Sequence, residues 1–180
     1  AESIRMGAST HHSEILNRAP GVLIQRGSGQ ESLTAIRSPV LTGAGSCGAF
    51  LFLENGVPIR PVGFCNVNEL LEVNTEQAQS IEVLRGPGTA LYGSSAMHGM
   101  INVRQAAPGE RPGLRAGLEA GPSSYARVKV AGRFDGARAR LGAAALYAND
   151  GGWREESGYD EAKANITLAG EFRGTPARMD

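Results

Sequence analysis

Five groups of residues have types or spacings that could do chemistry. Cys47 and Cys65 stand on either side of an Asn55-Gly56 turn signal. Such a pair can close a disulfide, remain as free buried thiols or join a metal site, and the metal reading is weakest because no further ligand lies close in sequence. His11-His12 could hold a metal ion, but adjacent residues do not share a helix face, so a solvated helix start is expected there. The run Arg85–Gly93, RGPGTALYG, invites a phosphate-loop reading but lacks the Gly-Lys-Ser/Thr that such a loop needs. Ser94, Ser95, His98 and Glu82 have the residue types of a hydrolase triad, yet no G-x-S-x-G elbow is present, and His98 is given no catalytic role. Glu82 and Arg85 remain, charges on one short strand that are costly to bury unless paired. The chemistry on offer is binding rather than catalysis, with no cofactor and no metal.

Composition narrows the choice. The 180 residues suffice for one domain of ordinary size, or one domain plus a fragment. Lys+Arg and Asp+Glu are 18 each, so the formal net charge is zero. A neutral chain is poorly suited to neutralising phosphates, and nucleic acid is not an expected partner. Glycine, at 25 residues, is about twice its average usage and implies many turns. No run of about 18 apolar residues is present, and AESIRMGAST is not an apolar signal segment. Residues 1–104 contain neither Lys nor Asp, whereas both occur afterwards. The stretch QAAPGERPG from Gln105 reads as a boundary, with a linker over 105–112.

The elements that must position these residues differ on the two sides of that boundary. Residues 1–104 read as small α+β. Thr10 is expected to cap a short helix carrying Ile15 and Leu16, stopped by Pro20-Gly21. Short strands follow at Val22–Arg26 and Leu33–Arg37. A glycine-rich loop, Leu41–Gly48, leads to the apolar run Ala49–Leu53. Asn55-Gly56 signals a hairpin with Val57–Ile59 as return arm. Short helices are expected through Leu70-Leu71 and from a Thr75 cap to Gln79. A strand at Ser80–Arg85 places Ile81, Val83 and Arg85 on one face and Glu82 and Leu84 on the other. A helical turn at Thr89–Tyr92 and a strand at Met100–Val103 complete the set.

Residues 113–180 have another rhythm. Leu114, Ala116 and Leu118 alternate with Arg115, Gly117 and Glu119. Val128, Val130 and Phe134 alternate with Arg127, Lys129 and Arg133. Leu141, Ala143, Ala145 and Tyr147 share a third face, and Ala164, Ile166, Leu168 and Phe172 oppose Lys163, Asn165, Thr167 and Glu171. Four such segments have the length of tilted bilayer-crossing strands.

The ordered motifs Leu16–Val22 (LNRAPGV), Ile36-Arg37, Phe52–Ile59 (FLENGVPI), Ile81–Gly93 (IEVLRGPGTALYG) and Gly99–Val103 (GMINV) resemble the plug domain of TonB-dependent outer-membrane receptors over roughly residues 12–104. The resemblance implies an α+β plug domain at 1–104, followed at 113–180 by the first four antiparallel β-strands of an incomplete transmembrane β-barrel. Four strands cannot close a barrel of about 22, so the chain is expected to be an N-terminal fragment. The resemblance further implies a receptor that binds and imports a scarce ligand, a ferric siderophore first, with TonB as the energy-coupling partner and outer-membrane lipid around the strands. It places the protein in the outer membrane with the plug inside the barrel, facing the periplasm; Asp135-Gly136 becomes a periplasmic turn and Asp150–Asp160 an extracellular loop.

At residue level the resemblance nominates Thr42, Gly43, Arg60, Pro61 and Phe64 as ligand contacts, and Glu82 and Arg85 as charges that meet the barrel wall. Export would favour a Cys47–Cys65 disulfide, a closure worth about 3 kcal/mol in the loop-entropy picture. The sequence departs from the family where Ser38-Pro39 follows Arg37 in place of glycine. No TonB box is recognisable in residues 1–11, and that segment is expected upstream. The rival readings are a stand-alone soluble binding module or non-transporting truncated receptor, and a soluble glycine-rich α+β enzyme.

Overall fold

The computed structural model describes residues 4, 7, 9–27, 29–40, 49–59, 69–93, 95–105, 113–136, 139–172 and 175–179. The chain divides into two units, Ala1–Arg104 and Gln105–Asp180.

In the first unit, helix α1 (His12–Leu16) delivers Leu16 to the core. Its cap is His11 rather than Thr10. His11 has extended backbone, and its ring accepts the Ser13 N–H at 3.0 Å, satisfying one of the donors a helix start leaves open. The Thr10 hydroxyl instead donates to Glu14 Oε1 at 3.0 Å. After the turn at Gly21, strand β1 (Val22–Arg26) pairs antiparallel with β2 (Ser32–Ile36), Val22 opposite Ile36. Strand β2 stops one residue short of Arg37, whose φ of +50° leaves the strand region.

A four-stranded sheet carries most of the core. It comprises β3 (Phe50–Glu54), β4 (Val57–Pro58), β5 (Ser80–Arg85) and β6 (Gly99–Arg104), in the order β4-β3-β6-β5. Strands β3 and β6 are parallel, and the outer pairings are antiparallel. Phe50, Phe52, Ile101 and Val103 face Leu16, Val22, Ile24, Ile36 and Leu70. Leu51, Leu53 and Met100 face the other way, against Ala96 and Tyr92. Burial on both faces explains why β3 is a continuous apolar run rather than an alternating one. Each such side chain contributes about 1.5–3 kcal/mol.

The turn between β3 and β4 has positive φ at Asn55 (+52°) and Gly56 (+85°), as a two-residue hairpin of matching twist requires. Before β5, a 3-10 helix (Glu69–Glu72) seats Leu70. The helix expected from a Thr75 cap is instead a turn. Asn74 closes it, accepting the Gln77 N–H at 3.2 Å and donating to Gln77 Oε1 at 2.7 Å. Helix α2 (Thr89–Tyr92) then leads back to β6. Gly99 has no substitute at the start of β6: a Cβ there would lie 2.2 Å from the Leu84 carbonyl oxygen.

The second unit is a five-stranded antiparallel meander: β7 (Gly113–Ala120), β8 (Ala126–Asp135), β9 (Ala139–Asp150), β10 (Tyr159–Phe172) and β11 (Thr175–Met179). The sequence periodicity predicts four segments. The fifth, β11, folds back on the end of β10, with Leu168 opposite Met179. It was missed because TPARM is short and carries Pro176. The Gly151 N–H donates to the Ser123 carbonyl at 2.7 Å, so the β7–β8 turn and the β9–β10 loop lie at the same end of the sheet.

Candidate functional site

The charged strand is the part of the expected site that the structure describes. Strand β5 is an edge strand, and its alternation sends Ile81 and Val83 against the core while Glu82 and Leu84 face the other side. Glu82 lies opposite Asn102 in the ladder. Its Oε2 accepts the Asn102 side-chain N–H at 2.9 Å, and its Oε1 accepts from Arg104 at 3.1 Å. These hydrogen bonds, Asn102 first and Arg104 second, hold the Glu82 carboxyl below its usual 4.5. The Glu82 side chain stays 46% exposed. Arg85 does not meet Glu82. It donates to the Pro20 carbonyl at 2.9 Å, tying the end of β5 to the turn after α1. Asn17 braces that turn from the other side: its amide donates to the Ile24 carbonyl at 3.1 Å and accepts the Ile24 N–H at 2.6 Å. The LNRAPGV and IEVLRG motifs are therefore neighbours through Arg85 and Pro20.

The meander shows a second arrangement with functional content. One face carries Leu114, Leu118, Val128, Val130, Phe134, Ile166 and Leu168, and these are the exposed side chains. Leu118 is 78% exposed and Ile166 65%. The opposite face carries the charges; Arg127, Lys129, Arg133, Glu161 and Lys163 are largely covered there, while Arg115, Asp135 and Arg140 toward the sheet's end are exposed. The Arg127 side chain is 2% exposed and is held by Glu119, which also takes Lys129. Lys163 pairs with Glu161 at 2.7 Å, and Arg133 pairs with Asp135. A sheet that folds in water hides its apolar face. A sheet that presents apolar side chains outward, with paired charges behind them, has the faces of a membrane β-barrel wall. Strands β8, β9 and β10 are 10, 12 and 14 residues long, enough to cross a bilayer at a tilt.

The remaining expected residues divide by position. Thr42, Gly43, Arg60, Pro61 and Phe64, and both Cys47 and Cys65, lie outside the described residues. His11-His12 is a correction. Rather than a solvated helix start, His11 and His12 are 0% and 1% exposed, with ring centroids 3.9 Å apart. His11 Nε2 donates to the Gln30 carbonyl at 3.1 Å, and His12 Nε2 bonds the Ser32 hydroxyl at 2.8 Å. Both partners lie about a strand and a loop away in sequence, and no local pattern announces them. Among the described residues no cluster of His, Cys, Asp and Glu could hold a metal ion.

A compact core unit with a charged edge strand, followed by strands that are apolar outside and charged inside, defines the class: a plug joined to wall strands of an outer-membrane receptor. A family model described as the TonB-dependent receptor plug domain matches residues 1–100, and the chain belongs to that family. It is a family of receptor components in the outer membrane, not of enzymes. Solved structures share the fold at low identity. The ferric yersiniabactin uptake receptor FyuA of Yersinia pestis aligns with TM-score 0.70 at 22% identity, over 94% of this chain and 27% of the receptor. The copper transporter OprC aligns with TM-score 0.70 at 18% identity, over 91% and 26%. The ferric-catecholate import receptor Fiu of E. coli aligns with TM-score 0.68 at 17% identity, over 94% and 23%. The chain thus spans about a quarter of the length of these receptors.

Proposed function

We propose that the chain supplies the plug and the opening wall strands of a receptor that binds a scarce ligand, a ferric siderophore first, and imports it with energy from TonB. The observation that carries this reading is the inverted meander: exposed Leu118, Val128 and Ile166 backed by the covered Arg127–Glu119–Lys129 group. Such a sheet is at home in lipid, and its unpaired edges call for further strands. The choice of an iron chelate is supported by structural neighbours that take up ferric yersiniabactin and ferric catecholate; the copper transporter among them marks the nearest rival cargo.

In this reading the plug sits inside the barrel and faces the periplasm. Thr42, Gly43, Arg60, Pro61 and Phe64 meet the ligand, Arg60 answering the negative charge of a ferric chelate and Phe64 offering an apolar surface. A Cys47–Cys65 disulfide pins the glycine-rich loop, with Thr42 and Gly43, to the segment 61–64. Glu82 and Arg85 meet charges of opposite sign on the barrel wall.

The test is made in native cells. Antibody to residues 1–104 is expected to detect a heat-modifiable outer-membrane band several times heavier than the 18.8 kDa of this chain. Deleting the gene is expected to abolish growth on at least one ferric siderophore under iron limitation, and deleting TonB should have the same effect. A soluble band near 18.8 kDa, or siderophore use indifferent to the deletion, sinks the proposal.

A further inference from the structure

We propose that Asn55-Gly56 is a latent site of spontaneous succinimide formation, and that Asn102 holds it shut. The chemistry belongs to the dipeptide. The Gly56 nitrogen, its proton lost to solvent base, bonds to the Asn55 side-chain carbonyl carbon. The bond from that carbon to Nδ2 breaks, and the amide nitrogen leaves as ammonia. Water then opens the ring at either carbonyl, giving aspartate or isoaspartate. Glycine favours the attack because it brings no Cβ to obstruct it, and the space a Cβ would take is open, with nothing within 4 Å. Gly56 is exposed and Asn55 half-buried, so base and water have access.

What opposes the reaction is a side chain 46 residues away. The Gly56 N–H donates to Asn102 Oδ1 at 2.9 Å. Asn102 is 7% exposed, and its Nδ2 donates to Glu82 Oε2 at 2.9 Å. Those two partners fix the amide's orientation, because a backbone N–H can only donate and a carboxylate can only accept. Oδ1 must face the turn. The Asn55 N–H is also tied down, donating to the Val103 carbonyl at 2.9 Å. The attacking nitrogen is therefore engaged through its proton, and the turn is held at positive φ on both residues. To react, Gly56 must first leave Asn102.

The product would not fit the turn. Isoaspartate adds a backbone carbon between β3 and β4, breaking the pairing of Glu54 with Val57. Either product adds a carboxylate beside Glu54. A displaced turn also takes from Asn102 the donor that orients it, and Glu82 then loses its fixed partner.

The experiment follows deamidation at Asn55 by peptide mapping with isoaspartate detection, in the full-length purified protein at mildly alkaline pH. In the wild type the rate is expected to be far below that of the same protein in urea. Asn102→Ala is expected to speed it about tenfold under native conditions, the scale of losing one buried hydrogen bond. In urea the wild type and the variant should react alike, because Asn102 acts only in the folded chain. A folded Asn102→Ala protein that deamidates at the wild-type rate overturns the proposal. If that variant does not fold, hydrogen exchange in the wild type decides. A protected Gly56 amide, whose exchange and deamidation rise together at sub-denaturing urea, supports it; slow deamidation beside an unprotected Gly56 amide overturns it.

Discussion

The two units solve opposite problems with the same alternating strands. In residues 1–104, Phe50, Phe52, Ile101 and Val103 are at most 2% exposed, and Glu82 points outward. In residues 113–179, Ile166 and Leu118 are more than half exposed, and the Arg127 guanidinium is covered. Strand periodicity alone says only that two faces differ. Which face is hidden depends on the medium, and the comparison teaches that one chain here is written for two media. Charge pairing shows the same division. The outward Glu82–Arg104 pair is about half exposed on each side and contributes little in water. In the Glu119–Arg127 pair the guanidinium is covered, so losing the carboxylate takes the opposite charge from a buried cation.

The comparison can be broken most forcefully in the plug unit. Phe52→Ala removes a side chain 1% exposed in the main core, and is expected to lower stability by about 3–5 kcal/mol in a urea melt. A loss below about 1 kcal/mol would mean that this core does not carry the unit.

Next comes a pair of neighbours on β7. Glu119→Ala leaves Arg127 and Lys129 without their shared carboxylate and is expected to cost about 3 kcal/mol. Leu118→Ala, one residue away on the exposed face, is expected to change stability by at most about 0.5 kcal/mol in aqueous detergent. Equal effects would erase the distinction between the faces. Ile166→Arg sharpens it further. Stability measured in lipid bilayers is expected to fall by about 2 kcal/mol, while the same change in a sheet that meets water would be nearly neutral. The readout is the difference between the two media for one variant.

The smallest effect concerns pH. The Glu82 carboxyl is held below its usual 4.5 by Asn102 and Arg104. Because the folded value lies below the unfolded one, the folded state gains stability above the unfolded value and loses it as pH falls through the folded one. Glu82→Gln should flatten the acid limb of the stability–pH curve, with a change well under 1 kcal/mol near neutrality because about half of the side chain is exposed and screened by solvent. An unchanged acid limb would show that these hydrogen bonds do not hold the carboxyl in solution.

Much of the fold was legible because its signals are local. FLFLENGVP marks an apolar strand, a turn and a return arm within nine residues, and β3, the turn and β4 follow it. The alternation of Lys163, Asn165 and Thr167 with Ala164, Ile166 and Leu168 was enough to assign the faces of β10. The misreadings have one cause. Residue type points to Thr10 and Thr75 as caps, but His11 and Asn74 take those roles in the folded backbone. His11-His12 looked solvated because Gln30 and Ser32, which receive the rings, are brought there by the β1–β2 hairpin. The link from Arg85 to the Pro20 carbonyl spans 65 residues and has no signature in either segment.

By itself the sequence determined where strands begin and turn, which side chains share a face, and the family to which residues 1–100 belong. Those properties follow from period, turn chemistry and motif order, which act over a few residues at a time. Tertiary structure alone decided that Asn102 joins the Asn55-Gly56 turn to Glu82, that the histidine pair at the start of α1 is buried, and that Arg127 is covered while Ile166 is not. Each of these depends on a hydrogen bond or an enclosure made by residues far apart in the chain. Such partners exist only after the strands have found their register.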